Sequence, residues 1–238
     1  MNYYYDFHIH SALSPCAETE MTPNNIVNMA LVNGLDMIAV TDHNSVKNLR
    51  AVWQCAAEKG LLLVPGIEVE SLEEVHISCL FPHLEAAEEM GRYVGAHLPP
   101  IKNKAEIFGP QYIFDADDRL IGEEQQLLLV STELTVERIF QAALSFSGCA
   151  YFSHVDRDSY SVLSALGTLP ANMETSVVEV SDTQRGRSFA AERRDLAGKR
   201  FLYSSDCHRL AEMGRRKNYM DLPELTTDEV INWIKDMR

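Results

Sequence analysis

The chain has 238 residues and carries 21 Lys and Arg against 35 Asp and Glu, a formal net charge of −14. That length suits one barrel-sized domain with a full core, and the acidity argues against the basic stripe of a nonspecific nucleic-acid binder. No apolar run reaches membrane-spanning length and the N-terminus lacks the basic-then-apolar shape of a signal peptide. Five scattered cysteines argue for a reducing compartment, so a cytoplasmic location is expected.

The first strand-like run, Tyr3 to His10, ends in two histidines one residue apart. Residues i and i+2 of a strand point to the same side, so His8 and His10 present two imidazoles to one point. Imidazole is the commonest protein metal ligand near neutral pH, and the pair reads as half of a metal site. Thr22-Pro23 predicts a helix N-terminus with Ile26, Met29 and Ala30 as its apolar stripe and Gly34 as its stop. The run 36–43 closes on His43. A helix over about 45–58 places Val46, Leu49, Trp53 and Ala56 on one face. Glu68 follows the apolar run 61–67, and His76 lies within the strand-like run 74–81. A helix is expected over 84–96.

The stretch 97–131 breaks the alternation. Pro99-Pro100 and Gly109-Pro110 stop any helix, and Tyr112–Phe114 and Leu120-Ile121 flank a turn at 115–118, which predicts a small hairpin. So long an excursion suits a lid or binding loop; a surface embellishment or an oligomer contact are the alternatives. Further on, helices are expected over 135–147, 159–166 and 188–198. The run 149–154 ends in His154, the run 177–181 is strand-like, and 200–208 ends in Asp206 and His208, again one residue apart. The last helix, 227–237, opens with the capping-box pattern Thr226-x-x-Glu229 and buries Val230, Ile231, Ile234 and Met237. His83 and His97 lack a strand-end context and read as solvated residues.

Ligand-type residues at five or six strand ends point to a β/α barrel, which gathers the C-terminal ends of its strands on one face. Alternating strands and helices agree with a parallel sheet. In order along the chain stand His8-Ile9-His10, Thr41-Asp42-His43, Gly66-Ile67-Glu68, His76, Ser153-His154 and Ser205-Asp206-Cys207-His208. This set resembles the PHP (polymerase and histidinol phosphatase) family.

The resemblance implies an α/β fold, a distorted seven-stranded β/α (TIM-like) barrel with the 97–131 segment inserted, as a single domain over 1–238. It implies a centre of two to three divalent ions, with zinc, iron or manganese all compatible with the donors. By motif, His8, His10, Glu68 and Asp206 hold the first ion. Glu68 bridges to a second, completed by His76 and His154, while His43 and His208 hold a third. Family members usually place an aspartate or histidine seven or eight residues after the first histidine, where this chain has Pro15 and Cys16. Cys16 as a thiolate ligand, Glu18 or Glu20 reaching in, and a weak or empty third site are the alternatives. Cys207, between two ligands, is expected to point away.

The family points to phosphoesterases, and two ions about 3.5–4 Å apart can turn water into hydroxide and clamp attacking and leaving oxygens. Hydrolysis of a small-molecule or nucleotide phosphomonoester is expected, because the acidic surface favours a small anionic phosphate ester and no extended nucleic-acid surface. An exonuclease on short oligonucleotides, or a barrel that binds metal, ligand or partner without turnover, are the alternatives. Arg157, Arg185 and Arg187 are the candidate phosphate-binding groups, since guanidinium forks suit phosphate oxygens. Arg209 is read as a partner for a carboxylate beside the ions.

Overall fold

The computed structural model describes residues 1–170, 175–193 and 196–236. Strand β1 (Asn2–Ile9) leads to helix α1 (Pro23–Val32), whose stripe Ile26, Val27 and Ala30 is buried. Then come β2 (Met37–Val40) and α2 (Leu49–Lys59). The α2 helix starts later than 45 and buries Leu49, Val52, Cys55 and Ala56. Trp53, expected on that face, is 43% exposed; the 3.6-residue period through Leu49, Val52 and Ala56 carries position 53 outward.

Strands β3 (Leu62–Leu63), β4 (Gly66–Glu70) and β5 (His76–Leu80) precede α3 (Leu84–Gly95). The 97–131 segment contains α4 (Ala105–Phe108) and an antiparallel hairpin of β6 (Tyr112–Phe114) and β7 (Leu120–Glu123), where the hairpin was expected. Next are α5 (Val136–Ser145), β8 (Cys149–Phe152), α6 (Val162–Leu166), β9 (Val177–Ser181) and α7 (Gln184–Glu192). The α7 helix begins ahead of the expected 188 because the Thr183 hydroxyl accepts from Gly186 N and caps it; Arg194 and Asp195, within the expected span, lie outside the described residues. The chain closes with β10 (Arg200–Ser204), β11 (Tyr219–Asp221) and α8 (Thr227–Lys235), where Thr226 caps Glu229 N as its pattern implies. Val230, Ile231 and Ile234 are buried; Met237 lies outside the described residues.

Besides the β6–β7 hairpin, the described strands form two sheets, ordered β11-β1-β2-β3 and β10-β9-β8-β5-β4. The expected seven-stranded barrel is not formed as one closed sheet. Pairs β1–β2, β2–β3, β8–β9 and β9–β10 are parallel, whereas β4–β5, β5–β8 and β1–β11 are antiparallel. The reason lies in a connection: residues 71–75 are too few for the crossover that parallel neighbours need, so β5 turns back on β4. The two sheets meet at two isolated parallel bridges, Ile9 with Cys207 and His43 with Glu68.

One apolar cluster joins Val230, Ile231 and Ile234 of α8 to Met37, Cys149 and Val177, which open their strands. The histidines gather at the other strand ends. The inserted hairpin is fastened to the body. Asn48 donates to Tyr112 O and accepts from Phe114 N, Asp118 accepts from Thr22 Oγ1 and Asn24 N, and Leu128 packs with Leu13 and Leu98. Among the described residues no helix is long and apolar enough to cross a membrane.

Candidate metal centre

Both histidines at the end of β1 aim at one point, with His8 Nε2 and His10 Nε2 3.1 Å apart, beside a register shift between Asp6 and Ile9. The β10 end supplies Asp206, whose Oδ1 lies 3.3 Å from His8 Nε2 and 3.0 Å from His10 Nε2. Central β4 supplies Glu68. Its Oε1 is 3.2 Å from His8 Nε2 and 3.3 Å from both His76 Nδ1 and His154 Nε2. Its Oε2 is 3.5 Å from His10 Nε2 and 3.1 Å from His43 Nδ1. His43 stands at the bridge to β4, and His208 stacks on His10 with ring centroids 4.2 Å apart.

These separations suit an ion. Four donors placed tetrahedrally about 2.0–2.1 Å from a zinc-like centre stand about 3.3 Å from one another. Neither oxygen of Glu68 has a hydrogen-bond partner, nor has Asp206 Oδ1, although all are buried. Buried carboxylate oxygens left so need a cation to compensate them. Ligand atoms of three sets, His8/His10/Glu68, His43/Glu68/His76 and His10/His43/His208, converge closely enough to share an ion.

The backbone is bent to make this possible. His154 (φ 28°), Asp206 (φ 50°) and Asn44 (φ 52°), next to His43, adopt the left-handed region, uncommon outside glycine. Such strain gathers at functional sites.

Electrostatics divides the imidazoles. Burial opposes charge on His8, but Glu179, Glu68 and Asp206 raise its pKa well above the usual value. Burial lowers His10 well below, and the neighbouring His208 and His43 add to the effect, so its ring stays neutral and ready to donate a lone pair. Burial works against ionisation of Glu68, yet His8 and His76 hold its pKa well below the carboxylate range. Burial likewise raises Cys16, but hydrogen bonding and charge from His208 and His43 bring its thiol down to about 6.

Two supports escaped the sequence reading. Glu179, in the middle of β9, accepts from His8 Nδ1 (2.8 Å) and His154 N (3.1 Å). A carboxylate inside Val-Val-Glu-Val was its only signal. Ser14 Oγ lies 3.0 Å from His10 Nδ1 and donates to Asp42 Oδ1, itself held by Ser11. Both supports fix which ring nitrogen faces the centre.

Above the cluster opens a pocket of about 290 Å³, lined by Cys16, His43, Glu70, His76, Leu129, His154, Arg157, Tyr160, Asp206 and His208 among others. Arg157 Nη1 donates to Asp206 Oδ2 (2.5 Å) while 43% of its side chain stays exposed. Tyr160 stacks on His76 with centroids 4.8 Å apart. The other two candidate arginines do not line this pocket. Arg185 pairs with Asp158, both exposed, and Arg187 donates to Asp182 and Asn218 with its guanidinium over Tyr203. Arg209 turns to Glu18 rather than to a carboxylate of the cluster, which also keeps Glu18 out of it. Glu20 is exposed, and Cys207 is fully buried in the core.

Residues 6–165 match the PHP domain family. The chain belongs to that family. No curated protein matches the sequence. Among solved structures, the lesion-specific endonuclease PfuEndoQ from Pyrococcus furiosus is similar at 19% identity and TM-score 0.72, over 99% of this chain and 56% of that one. An endonuclease Q complex with a 27-mer duplex substrate, with an abasic lesion at its active site, is similar at 18% identity and TM-score 0.71, over 99% and 57%. A protein assigned as a metal-dependent phosphoesterase from Bifidobacterium adolescentis is similar at 16% identity and TM-score 0.57, over 98% and 97%. The chain thus spans a little over half the length of the endonucleases it matches, and the likeness is one of fold.

That likeness corrects one expectation. A small phosphate ester, with no extended nucleic-acid surface, was expected from net charge alone. Endonuclease Q, similar in fold, takes a duplex at its active site, so net charge alone does not point such a fold to a small ester.

Proposed function

We propose that this chain hydrolyses a phosphodiester bond of a nucleic acid at a centre of two to three divalent ions. The observation that carries the reading is Glu68, a buried carboxylate with no hydrogen-bond partner, surrounded by nitrogens of His8, His10, His43, His76 and His154. His8, His10, Glu68 and Asp206 would hold one ion; Glu68, His76 and His154 a second; His43 and His208, with Cys16, a third. Ions bound there supply an activated water and positive charge for the phosphate oxygens.

The chain's own groups do the rest. Glu179 holds the Nδ1 proton of His8, leaving Nε2 free to ligate. Arg157 spends one donor on Asp206 and has others in its five-donor fork for a phosphate oxygen. Tyr160, 49% exposed at the pocket mouth, offers a face on which a base stacks, which favours a nucleotide chain over a simple ester.

Elemental analysis of freshly purified protein, run beside a cleavage assay on labelled single- and double-stranded oligonucleotides with manganese, iron or zinc added, tests this. Two or three ions per chain and a cut strand are expected, and Asp206→Ala should lose both while its circular dichroism is unchanged. Cleavage that survives in Asp206→Ala would sink the assignment, as would a protein that takes up no ion.

A further inference from the structure

The net charge of −14 hides a division. Residues 182–217 hold ten Lys and Arg against five Asp and Glu, leaving eleven against thirty for the remainder. In the fold these cations divide: Lys199 donates to Thr175 O, Arg200 lies over Trp233 of α8 and Arg216 over Tyr4, whereas others follow the strand ends nearer the pocket. Arg185 is in the first turn of α7, after β9. Arg209 directly follows His208, a pocket residue. Lys217 reaches Asp182, the residue after β9. Arg215 is exposed beside Gly214, whose N–H donates to Asp6, the carboxylate that also holds Ser205 next to Asp206. Arg157 stands at the pocket itself.

Two other loops are acidic. The hairpin carries Asp115, Asp117, Asp118, Glu123 and Glu124, and the β4–β5 turn carries Glu73 and Glu74. A polyanion would be repelled by those loops and attracted by the arginines.

We infer that a nucleic-acid strand runs across the C-terminal ends of β8, β9 and β10, its phosphates lying along Arg157, Arg185, Arg209 and Arg215, away from the β6–β7 hairpin. The inference rests on the proposed nucleolytic reading and adds to it the direction of the substrate. The ion pairs these cations now make are the kind a phosphate displaces. Arg185 and Asp158 are 74% and 88% exposed, and Arg209 and Glu18 are 61% and 49% exposed; surface pairs of this sort are held weakly and screened by salt. Backbone neutralisation of this kind carries no sequence information, so any base preference falls to the pocket.

The test is fluorescence anisotropy of a labelled oligonucleotide with the full chain as purified, read in the cold before cleavage, over a series of salt concentrations. The variant Arg185→Ala/Arg209→Ala/Arg215→Ala is compared with Lys102→Ala/Lys104→Ala/Arg138→Ala, which removes as many exposed charges from other faces. The rim variant is expected to bind at least tenfold more weakly and to lose about 2–3 from the log–log salt slope, roughly 0.9 per phosphate contact. The control should bind like the parent. If parent and rim variant bind alike and with equal slopes, the strand does not follow this rim, although the nucleolytic reading stands. If both triple variants weaken binding equally, the attraction is diffuse and the track is wrong. If the parent neither binds nor cuts any oligonucleotide, the nucleolytic reading falls and the track with it.

Discussion

Glu179 sets the tautomer of His8 from below, and its effect on the centre is separable from its packing. Replacing it with glutamine keeps size and shape but removes the charge that holds Nδ1–H. Partners of this kind typically govern metal affinity by about 10–100-fold. Glu179→Gln is therefore expected to bind manganese or zinc about 10–100-fold more weakly, by calorimetric titration, with an unaltered circular dichroism spectrum. Unchanged affinity would remove Glu179 from the site. Cys16 has a different signature. A thiolate ligand gives cobalt-loaded protein a sulfur-to-metal charge-transfer band in the near ultraviolet, and Cys16→Ser should lose that band while retaining ions at the first two positions. Absence of the band in the parent would leave Cys16 outside the coordination shell.

At the scale of elements, Asp182 ties three segments together just past β9. It accepts from Lys217, from Arg187 in α7 and from Asn218 ahead of β11. Burial pushes its pKa up, but those hydrogen bonds win and hold it below the ordinary aspartate value. A carboxylate depressed on folding stabilises the protein above its unfolded pKa, near 4, and loses that contribution as pH falls through the folded one. Asp182→Asn should thus cost about 2 kcal/mol at neutral pH, and the gap to the parent should close below pH ~4; a gap independent of pH would contradict this. Asn48 is the matching tie for the inserted hairpin. Asn48→Ala leaves Tyr112 O and Phe114 N without it and should open the 112–123 region to limited proteolysis while the rest of the chain resists.

These elements also show what a sequence can and cannot disclose. Histidines and carboxylates at strand ends were visible because period-two geometry and strand polarity leave few places for them to point. The hairpin was visible from its turn chemistry. Strand direction was read as parallel throughout, which fails at β4, β5, β8 and β11, since an apolar run such as 74–81 looks alike in either sense, although the short 71–75 link already forbade a parallel crossover. Arg187 was misplaced because a residue's position after a strand says nothing of where its long side chain turns, and an aspartate five residues before it captured the guanidinium. Glu179 gave no spacing partner. Its role exists only across the fold, where the Glu179 carboxylate of β9 meets His8 of β1.

At the scale of the whole molecule, the two larger sheets share one apolar core and pair their backbones at two bridges, each of which passes through the proposed ligands. Ile9, between His8 and His10, bridges Cys207, between Asp206 and His208, while His43 bridges Glu68 directly. His8, His10 and His43 come from the first sheet; Glu68, His76, His154, Asp206 and His208 come from the second or directly follow its strands. Ions held as proposed would therefore be gripped from both sides and would behave as rivets through the joint. Binding free energy at such a place adds to folding stability. Stripping the ions with a chelator should lower the melting temperature and hasten amide exchange at His10, Asn44, Glu68 and Cys207, whose N–H groups close the seams, more than at the apolar end around α8. Uniform acceleration would mean the ions are not structural. A loaded molecule would transmit force across the joint through its ions, and an unloaded one only through its apolar core and four backbone hydrogen bonds at the bridges.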